Sequence, residues 1–288
     1  MGGIPQLNRA ELEDLARRAL AEDLGEAGDI TTKRIVRIDQ PARAQIVAKS
    51  AGILAGTPVA EVVFHVVDKS VAIDWRAKDS ASLAEGDVVC DISGRARAIL
   101  AAERVALNFL QHLSGVATMT AAFVDICTPL GVRILCTRKT LPGLRAVQRY
   151  AVTIGGGQLH RAGLYDAILI KTNHTKLSGG LAEAVKRTKA NPNLEAEVEV
   201  RDLGELEAAI EAGADRVLLD NADLPTIKQA VAVTRGRVFL EVSGGVTIKT
   251  VEKIAKLGPD AISVGAITHS VPALDLALRI MGPPGGRP

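Results

Sequence analysis

Apolar residues recur at helical spacing from the start of the chain. Leu12, Leu15, Ala16, Ala19 and Leu20 form one stripe, Asn8 stands where an N-cap belongs with Glu11 three residues on, and Gly25 ends the run. The pattern predicts a helix from Asn8 to Leu24. Short apolar or alternating runs over Ala44–Ala48, Val71–Trp75 and Val88–Ile92 read as strands, with Val59–Val67 as a helix between the first two. A long helical stretch from Ala96 to Leu113 closes this part.

From about Val132 the texture becomes a strict alternation. Strand-like runs lie at Arg133–Thr137, Ala167–Lys171, Ala196–Val200, Arg216–Asp220, Val238–Val242 and Ala261–Val264. Helix-like segments follow most of them, at Gly180–Ala190, Leu203–Ala212, Leu224–Val233, Ile248–Leu257 and Pro272–Ile280. Strands apolar on both faces and alternating with helices predict a parallel sheet with helices outside. The ~20-residue spacing of the later strands suits a (β/α) barrel, and six strands where a full barrel has eight predict an incomplete, open one. The expected division is a first domain over 1–115, a catalytic barrel over 116–280 with the chain end packing back on the first domain, and a flexible tail over 281–288.

Composition narrows the function classes. Thirty-five Lys and Arg against 33 Asp and Glu give a formal charge of +2, and 47% of the 288 residues are hydrophobic. Disorder, a histone-like polycation and an acidic tail protein are excluded. Only 2% of residues are aromatic, so the core is aliphatic and base-stacking platforms for single-stranded nucleic acid are not expected. Cys90, Cys127 and Cys136 form no CxxC pair, which argues against a disulfide framework and a cysteine-rich zinc site. The N-terminus lacks an apolar signal core, and no run approaches the ~18 apolar residues of a membrane helix. A soluble cytoplasmic protein is the expectation.

In a parallel barrel, chemistry collects where strands end. Thr137, Arg138 and Lys139 follow the first strand; the second ends in Lys171 with Asn173 and His174 beyond it. The third contains Glu197 and Glu199, whose period of two sends both carboxylates to one side while Ala196, Val198 and Val200 face the other. If the apolar set packs on the helices, the acids enter the barrel and need cations from neighbouring strand ends. The fourth strand ends at Asp220-Asn221, the fifth in Ser243-Gly244-Gly245 and the sixth in Gly265-Ala266. The glycine turn, with a helix expected from about Thr247, predicts a phosphate site. Between the first two strands lies Gly155-Gly156-Gly157-Gln158-Leu159-His160-Arg161. Arg138, Lys139, His160, Arg161 and Lys171 offer more positive charge than one phosphate needs, so the expected ligands are phosphates plus a carboxylated molecule. Carboxylates beside phosphates suggest a hydrated Mg²⁺ shared with the substrate. The five histidines show no metal-binding spacing.

Several runs together resemble a known family. They are Arg104-Val-Ala-Leu-Asn-Phe-Leu-Gln-His-Leu-Ser-Gly, Thr137-Arg-Lys-Thr-Leu-Pro-Gly-Leu-Arg, Gly155-Gly-Gly-Gln-Leu-His-Arg, Glu197-Val-Glu-Val, Leu219-Asp-Asn, Ser243-Gly-Gly and Val264-Gly-Ala-Ile-Thr-His-Ser, with Gly28-Asp-Ile-Thr-Thr near the start. In this order they resemble the quinolinate phosphoribosyltransferases, also called carboxylating nicotinate-nucleotide pyrophosphorylases. The resemblance implies an N-terminal α/β sandwich-like domain, an open α/β barrel of the type II phosphoribosyltransferase kind and at least a homodimer. It implies transfer of phosphoribose from phosphoribosyl pyrophosphate to quinolinate with loss of CO₂ and pyrophosphate, giving nicotinate mononucleotide for NAD biosynthesis.

By the same resemblance, Arg104 reaches the neighbouring subunit's site, and Arg138, His160 and Arg161 hold the quinolinate carboxylates. Lys139 and Lys171 meet both substrates, and Glu199 and Asp220 serve the ribose hydroxyls and Mg²⁺. Ser243, Gly244, Gly265 and Ala266 cradle the 5′-phosphate, with Thr137, Gly245, Val264 and His269 also in the binding set. Three positions depart from the family pattern: Thr172 stands for an Asp, Leu159 for an Asn and Ala162 for a common Met. The alternatives are a related pyrophosphorylase linked to molybdenum transport, a Schiff-base aldolase using Lys171 and a non-catalytic binder of phosphorylated metabolites.

Overall fold

The computed structural model describes residues 5–189 and 195–282. Asn8 Oδ1 accepts from the amides of Ala10 and Glu11 and opens α1 (Arg9–Leu24), whose buried Leu12, Ala16 and Leu20 come from the predicted stripe. There follow α2 (Ile30–Ile35), β1 (Pro41–Ala48), β2 (Gly52–Ile53), α3 (Thr57–Val67), β3 (Ala72–Trp75), β4 (Ser82–Leu83), β5 (Val88–Arg95) and α4 (Ala96–Cys127). The second half holds β6 (Arg133–Leu135), α5 (Arg145–Ile154), β7 (Ile168–Ile170), α6 (Thr172–Ser178), α7 (Leu181–Thr188), β8 (Ala196–Val200), α8 (Leu203–Glu211), β9 (Arg216–Asp220), α9 (Leu224–Thr234), β10 (Phe239–Ser243), α10 (Val251–Ala255), β11 (Ala261–Ser263), α11 (Ala266–His269) and β12 (Leu276–Gly282).

Contacts divide the chain into two compact units. Unit one holds Met1–Met119, Ala146–Gly155 and Val271–Pro288; unit two holds Thr120–Arg145 and Gly156–Ser270. The boundary expected near 115 therefore falls inside α4, and α5 with the chain end belongs to unit one. Tyr150 of α5 donates its hydroxyl to Asp79 Oδ2 at 2.7 Å.

Unit one is built on an antiparallel sheet of order β12-β1-β5-β3. Its largest wholly buried side chains include Ile46, Phe64, Ile92 and Leu110. Three expectations fail here. The segment Pro272–Ile280, read as a helix, yields a strand that pairs Leu276 with Ala48 and Leu278 with Ile46. Leu274, Leu276, Leu278 and Ile280 alternate with other residues, so the period of two prevails over the helical spacing that Leu274 and Leu278 also satisfy. The helix expected to stop at Leu113 continues to Cys127. Gly115 sits within it because a Cβ there would meet main-chain atoms of Pro272 and Ala273 at 3.2 and 3.3 Å. The extended helix, Ala96–Leu130, is by length and composition apolar enough to cross a membrane, contrary to the reading that no run approaches that length. Ile99, Ala106, Leu110 and Leu113 are instead buried within unit one.

Unit two carries a six-stranded parallel sheet of order β6-β11-β10-β9-β8-β7. Among the described residues β6 and β7 are its two edges, so the barrel is open as predicted. Gln158 partly covers one edge, pairing with β6 through Gln158 N to Ile134 O at 2.8 Å and Cys136 N to Gln158 O at 3.0 Å. The strands match the predicted ranges to within about two residues at either end, a normal uncertainty for boundaries. The helix expected over Gly180–Ala190 runs Leu181–Thr188, and Ala190 lies outside the described residues, as do 283–288 of the expected tail. Met281 and Gly282 of that tail belong to β12.

Candidate active site

At the C-terminal ends of the unit-two strands lies a cavity of about 550 Å³. Thr137, Arg138 and Lys139 line it from beyond β6, His160 and Arg161 from the following loop, and Lys171 from the end of β7. Glu199, Asp220 and the Ser243-Gly244-Gly245 turn enter from β8, β9 and β10, and Val264, Gly265, Ala266 and His269 from β11 and beyond. Every predicted site residue of unit two is thus gathered at one opening. Arg104 is not among them: it is exposed on α4 in the part of that helix counted with unit one.

Two arginines define the cationic wall. The Nε atoms of Arg138 and Arg161 are buried without a hydrogen-bond partner, a costly state that a bound acceptor would relieve. Burial, together with the neighbouring Arg138 charge, makes Arg161 less basic than an ordinary guanidinium. Arg161 Nη1 is fixed on Ala167 O at 3.2 Å. Arg145, which the reading of single residues passed over, braces both loops by donating to Thr140 Oγ1 at 3.0 Å and Ala162 O at 3.1 Å.

The acids are tied down individually. Lys171 Nζ donates to Glu199 Oε2 at 2.6 Å, and Thr172 Oγ1 donates to Oε1 at 3.3 Å. Burial works to raise the Glu199 carboxyl, but Lys171 and Thr172 outweigh it and leave it below the usual range. Ser243 Oγ donates to Asp220 Oδ1 at 2.5 Å and Asn221 Nδ2 to Oδ2 at 2.8 Å. Asn221 adopts φ 57°, a left-handed conformation that asparagine tolerates better than most residues.

The phosphate-type turn rests on glycine. Gly244 has φ +98°, and a Cβ there would stand 2.6 Å from the Asn221 amide nitrogen. Gly265 lies where a Cβ would press on Lys139 Cδ and His269 Nε2 at 3.1 and 3.0 Å. The helix expected from about Thr247 starts only at Val251, because Thr250 Oγ1 accepts the Thr247 amide at 3.0 Å and shapes a turn there. The glycine turn, rather than a helix end, is what faces the cavity.

Glu197 and Glu199 do share the barrel side of β8; Glu199 meets the expected cation, Lys171 of the neighbouring strand end, whereas the partners of Glu197 come from elsewhere. Beneath the cavity, His160 Nε2 lies 2.7 Å from Glu197 Oε2, and Arg216 approaches Glu197 and Glu241 at 3.5 and 3.3 Å. Burial and the Glu197 charge push the Glu241 carboxyl up, to about 7. Burial also works to raise Glu197, but the bond and charge of His160, with Arg216, hold it low. Burial opposes a charged His160, and the two carboxylates outweigh that and favour a second proton. The Arg161 amide, however, points at Nδ1 from 2.7 Å and needs a lone pair there, which is the geometry of the neutral ring with its proton on Nε2. Ligand-type atoms of His160, Glu197 and Glu241 fall within 4.8 Å of one another, a grouping the sequence spacing did not predict. Arg216 and the Ser263 hydroxyl already engage those carboxylates, which makes the cluster an ion-pair network. Glu241 and Arg216 were missed by sequence reasoning; the alternation Glu241-Val242-Ser243 placed Glu241 on the face of a residue already singled out.

Two family models match the chain: the N-terminal domain of quinolinate phosphoribosyl transferase over residues 29–114 and its C-terminal domain over 116–279. A chloroplastic carboxylating nicotinate-nucleotide pyrophosphorylase of Arabidopsis thaliana is 41% identical over 290 residues, covering 94% of this chain and 83% of that protein. A probable carboxylating nicotinate-nucleotide pyrophosphorylase of Bacillus subtilis is 39% identical over 276 residues, with 95% of each chain covered. The solved nicotinate-nucleotide pyrophosphorylase of Francisella tularensis superposes with a TM-score of 0.93 at 41% identity, covering 98% of this chain and all of that one. The matches favour the family named from the motifs over its molybdenum-transport relative. The chain belongs to the quinolinate phosphoribosyltransferase family.

Proposed function

We propose that this enzyme joins quinolinate to phosphoribosyl pyrophosphate, releasing pyrophosphate and CO₂ and forming nicotinate mononucleotide. The observation that carries the reading is the pair of buried, unpartnered guanidinium nitrogens on Arg138 and Arg161, which share one cavity with a glycine turn and two lysines. A planar dicarboxylate suits the guanidinium wall, and a phosphate suits the Gly244 turn.

Between those anchors the pyridine nitrogen is held against the anomeric carbon, and this positioning supplies much of the rate. As the bond to pyrophosphate breaks, positive charge grows on the ribose, where the Glu199 and Asp220 carboxylates stabilise it. Lys139 and Lys171 meet the leaving oxygens. The carboxylate beside the newly alkylated nitrogen then departs as CO₂, and the electron pair left on that carbon is stabilised by the adjacent pyridinium until it takes up a proton. None of these steps requires a dedicated general base.

Glu199 and Asp220 offer hard oxygen donors with lone pairs beyond those used by Lys171, Thr172, Ser243 and Asn221. That set fits Mg²⁺ held mainly by water and substrate phosphates; when bound, the ion neutralises charge on the leaving pyrophosphate. We assign Arg104, exposed on α4, to the neighbouring subunit's site in a homodimer. We place the enzyme in the cytoplasm, which suits three buried cysteines held as thiols and not in disulfides.

The test supplies purified protein with quinolinate, phosphoribosyl pyrophosphate and Mg²⁺ and follows CO₂ and nicotinate mononucleotide. Stoichiometric formation of both is expected. Pyrophosphate release without CO₂, or turnover of another pyridine acid in preference to quinolinate, would overturn the substrate assignment.

A further inference from the structure

Gln158 lays the loop of His160 and Arg161 along the open edge of the barrel, and from there the His160 ring reaches the opposite strands. Its Nε2 stands 2.7 Å from Glu197 on β8 and 3.8 Å from Glu241 on β10. Arg216 of β9 bridges the same two carboxylates, its guanidinium 3.9 Å above the Phe239 ring, and Ser263 of β11 donates to Glu241. Side chains from four strands thus form one network, and two of its carboxylates face the imidazole. On the other side of the ring, Nδ1 accepts the Arg161 amide at 2.7 Å.

A buried ion network of this kind is seldom the cheapest way to stabilise a core, since packed apolar residues do as well or better. Its geometry serves another end. Arg161 is held at its amide by His160 and at Nη1 by Ala167 O, which leaves Nε buried and unpartnered beside the cavity. With one ring nitrogen committed to Glu197 and the other to Arg161, neutral His160 has no N–H left over for a carboxylate.

We propose that His160 is a positioning residue, not a carboxylate ligand: supported by Glu197, Glu241, Arg216 and Ser263, it sets the place of the Arg161 guanidinium, and Arg161 alone of the two grips the diacid. This rests on the quinolinate reading above and changes the role that the family resemblance implied for His160. Closing a loop over an open barrel edge through a buried imidazole fixes the guanidinium more tightly than the loop backbone could by itself.

A double-mutant cycle on quinolinate binding, read by calorimetry, separates the two roles. His160→Ala and Arg161→Ala are each expected to weaken binding about tenfold or more, and the double variant to bind no more weakly than Arg161→Ala. Additive losses would mean that His160 touches the ligand itself and would overturn the proposal. Glu197→Gln is expected to weaken quinolinate binding about fivefold while leaving phosphoribosyl pyrophosphate affinity unchanged; wild-type affinity for quinolinate would remove the network from the role. Should that variant not fold, Ser263→Ala gives the same reading at the far end of the network. Nitrogen-15 NMR of the histidine rings gives a ligand-free readout: His160 is expected as the neutral tautomer with its proton on Nε2 at neutral pH, and a proton on Nδ1 would refute the proposal. A wild-type protein with that tautomer and no quinolinate affinity would sink the functional reading instead.

Discussion

Lys171 Nζ and Glu199 Oε2 meet at 2.6 Å across neighbouring strands, with the lysine half exposed and the carboxylate mostly shielded. The pair keeps the acid ionised in a partly buried place and keeps the ammonium at the cavity wall. Removing the acid's charge removes stabilisation that matters most when the ribose turns cationic. Glu199→Gln is expected to lower kcat about a hundredfold while changing KM for quinolinate little. Steady-state kinetics with each substrate varied in turn checks this.

Thr172 supplies the hydroxyl and amide that face Glu199 Oε1. Thr172→Val keeps the shape and loses one donor, so kcat is expected to fall about threefold to tenfold. Thr172→Asp sets a like charge against Glu199 and is expected to be worse, with the deficit growing as ionic strength falls. A salt series on both variants distinguishes a lost hydrogen bond from repulsion.

At Gly244 the left-handed backbone and the nearby Asn221 amide leave no room for a side chain. Gly244→Ala is expected to cost about 1–2 kcal/mol of stability and to weaken phosphoribosyl pyrophosphate binding at least tenfold, with quinolinate binding nearly intact. Thermal unfolding and calorimetry on the two ligands test both halves.

Arg138→Ala is expected to do the opposite. Loss of a charge-assisted contact, about 1.5–3 kcal/mol, weakens quinolinate binding roughly tenfold to a hundredfold and leaves the phosphate end untouched. Equal loss for both substrates would show that Arg138 serves the shape of the cavity instead.

Asp215 accepts the Ala196 amide at 2.9 Å and Lys189 Nζ at 2.8 Å at the start of β8. Burial works to raise its carboxyl, and those two donors outweigh it and hold it below the ordinary carboxylate value of 3.8. A lowered folded-state pKa adds stability above the unfolded value, and that stability is lost as pH falls through the folded value. Asp215→Asn is expected to lower Tm by about 2 °C at neutral pH. The gap from wild type should close as the pH drops below the usual carboxylate range, which scanning fluorimetry across a pH series can follow.

Much of unit two was legible because most strands there are short apolar runs ended by polar or glycine residues that line the cavity, and β8 shows its acids by alternation. Unit one was harder to read. Leu274 and Leu278 satisfy a helical and a strand period at once, and only pairing with Ala44–Ala48, more than two hundred positions earlier, decides between them. Glu241 and Arg216 escaped notice for a related reason: a charge inside an apolar run gains its meaning from partners on other strands. The unfilled Nε atoms of Arg138 and Arg161 are also a property of the folded chain, since composition indicated surplus cations but not which of them lack an acceptor.

The return of β12 to β1 bears on how the molecule is made. Ala48 waits for Leu276, so the sheet of unit one stays one strand short until after all six strands of unit two have been translated. A released chain cut just before Leu276 should therefore keep every strand of unit two beside an unsealed sheet in unit one, so a lesion in β12 strikes the half of the protein that was made first.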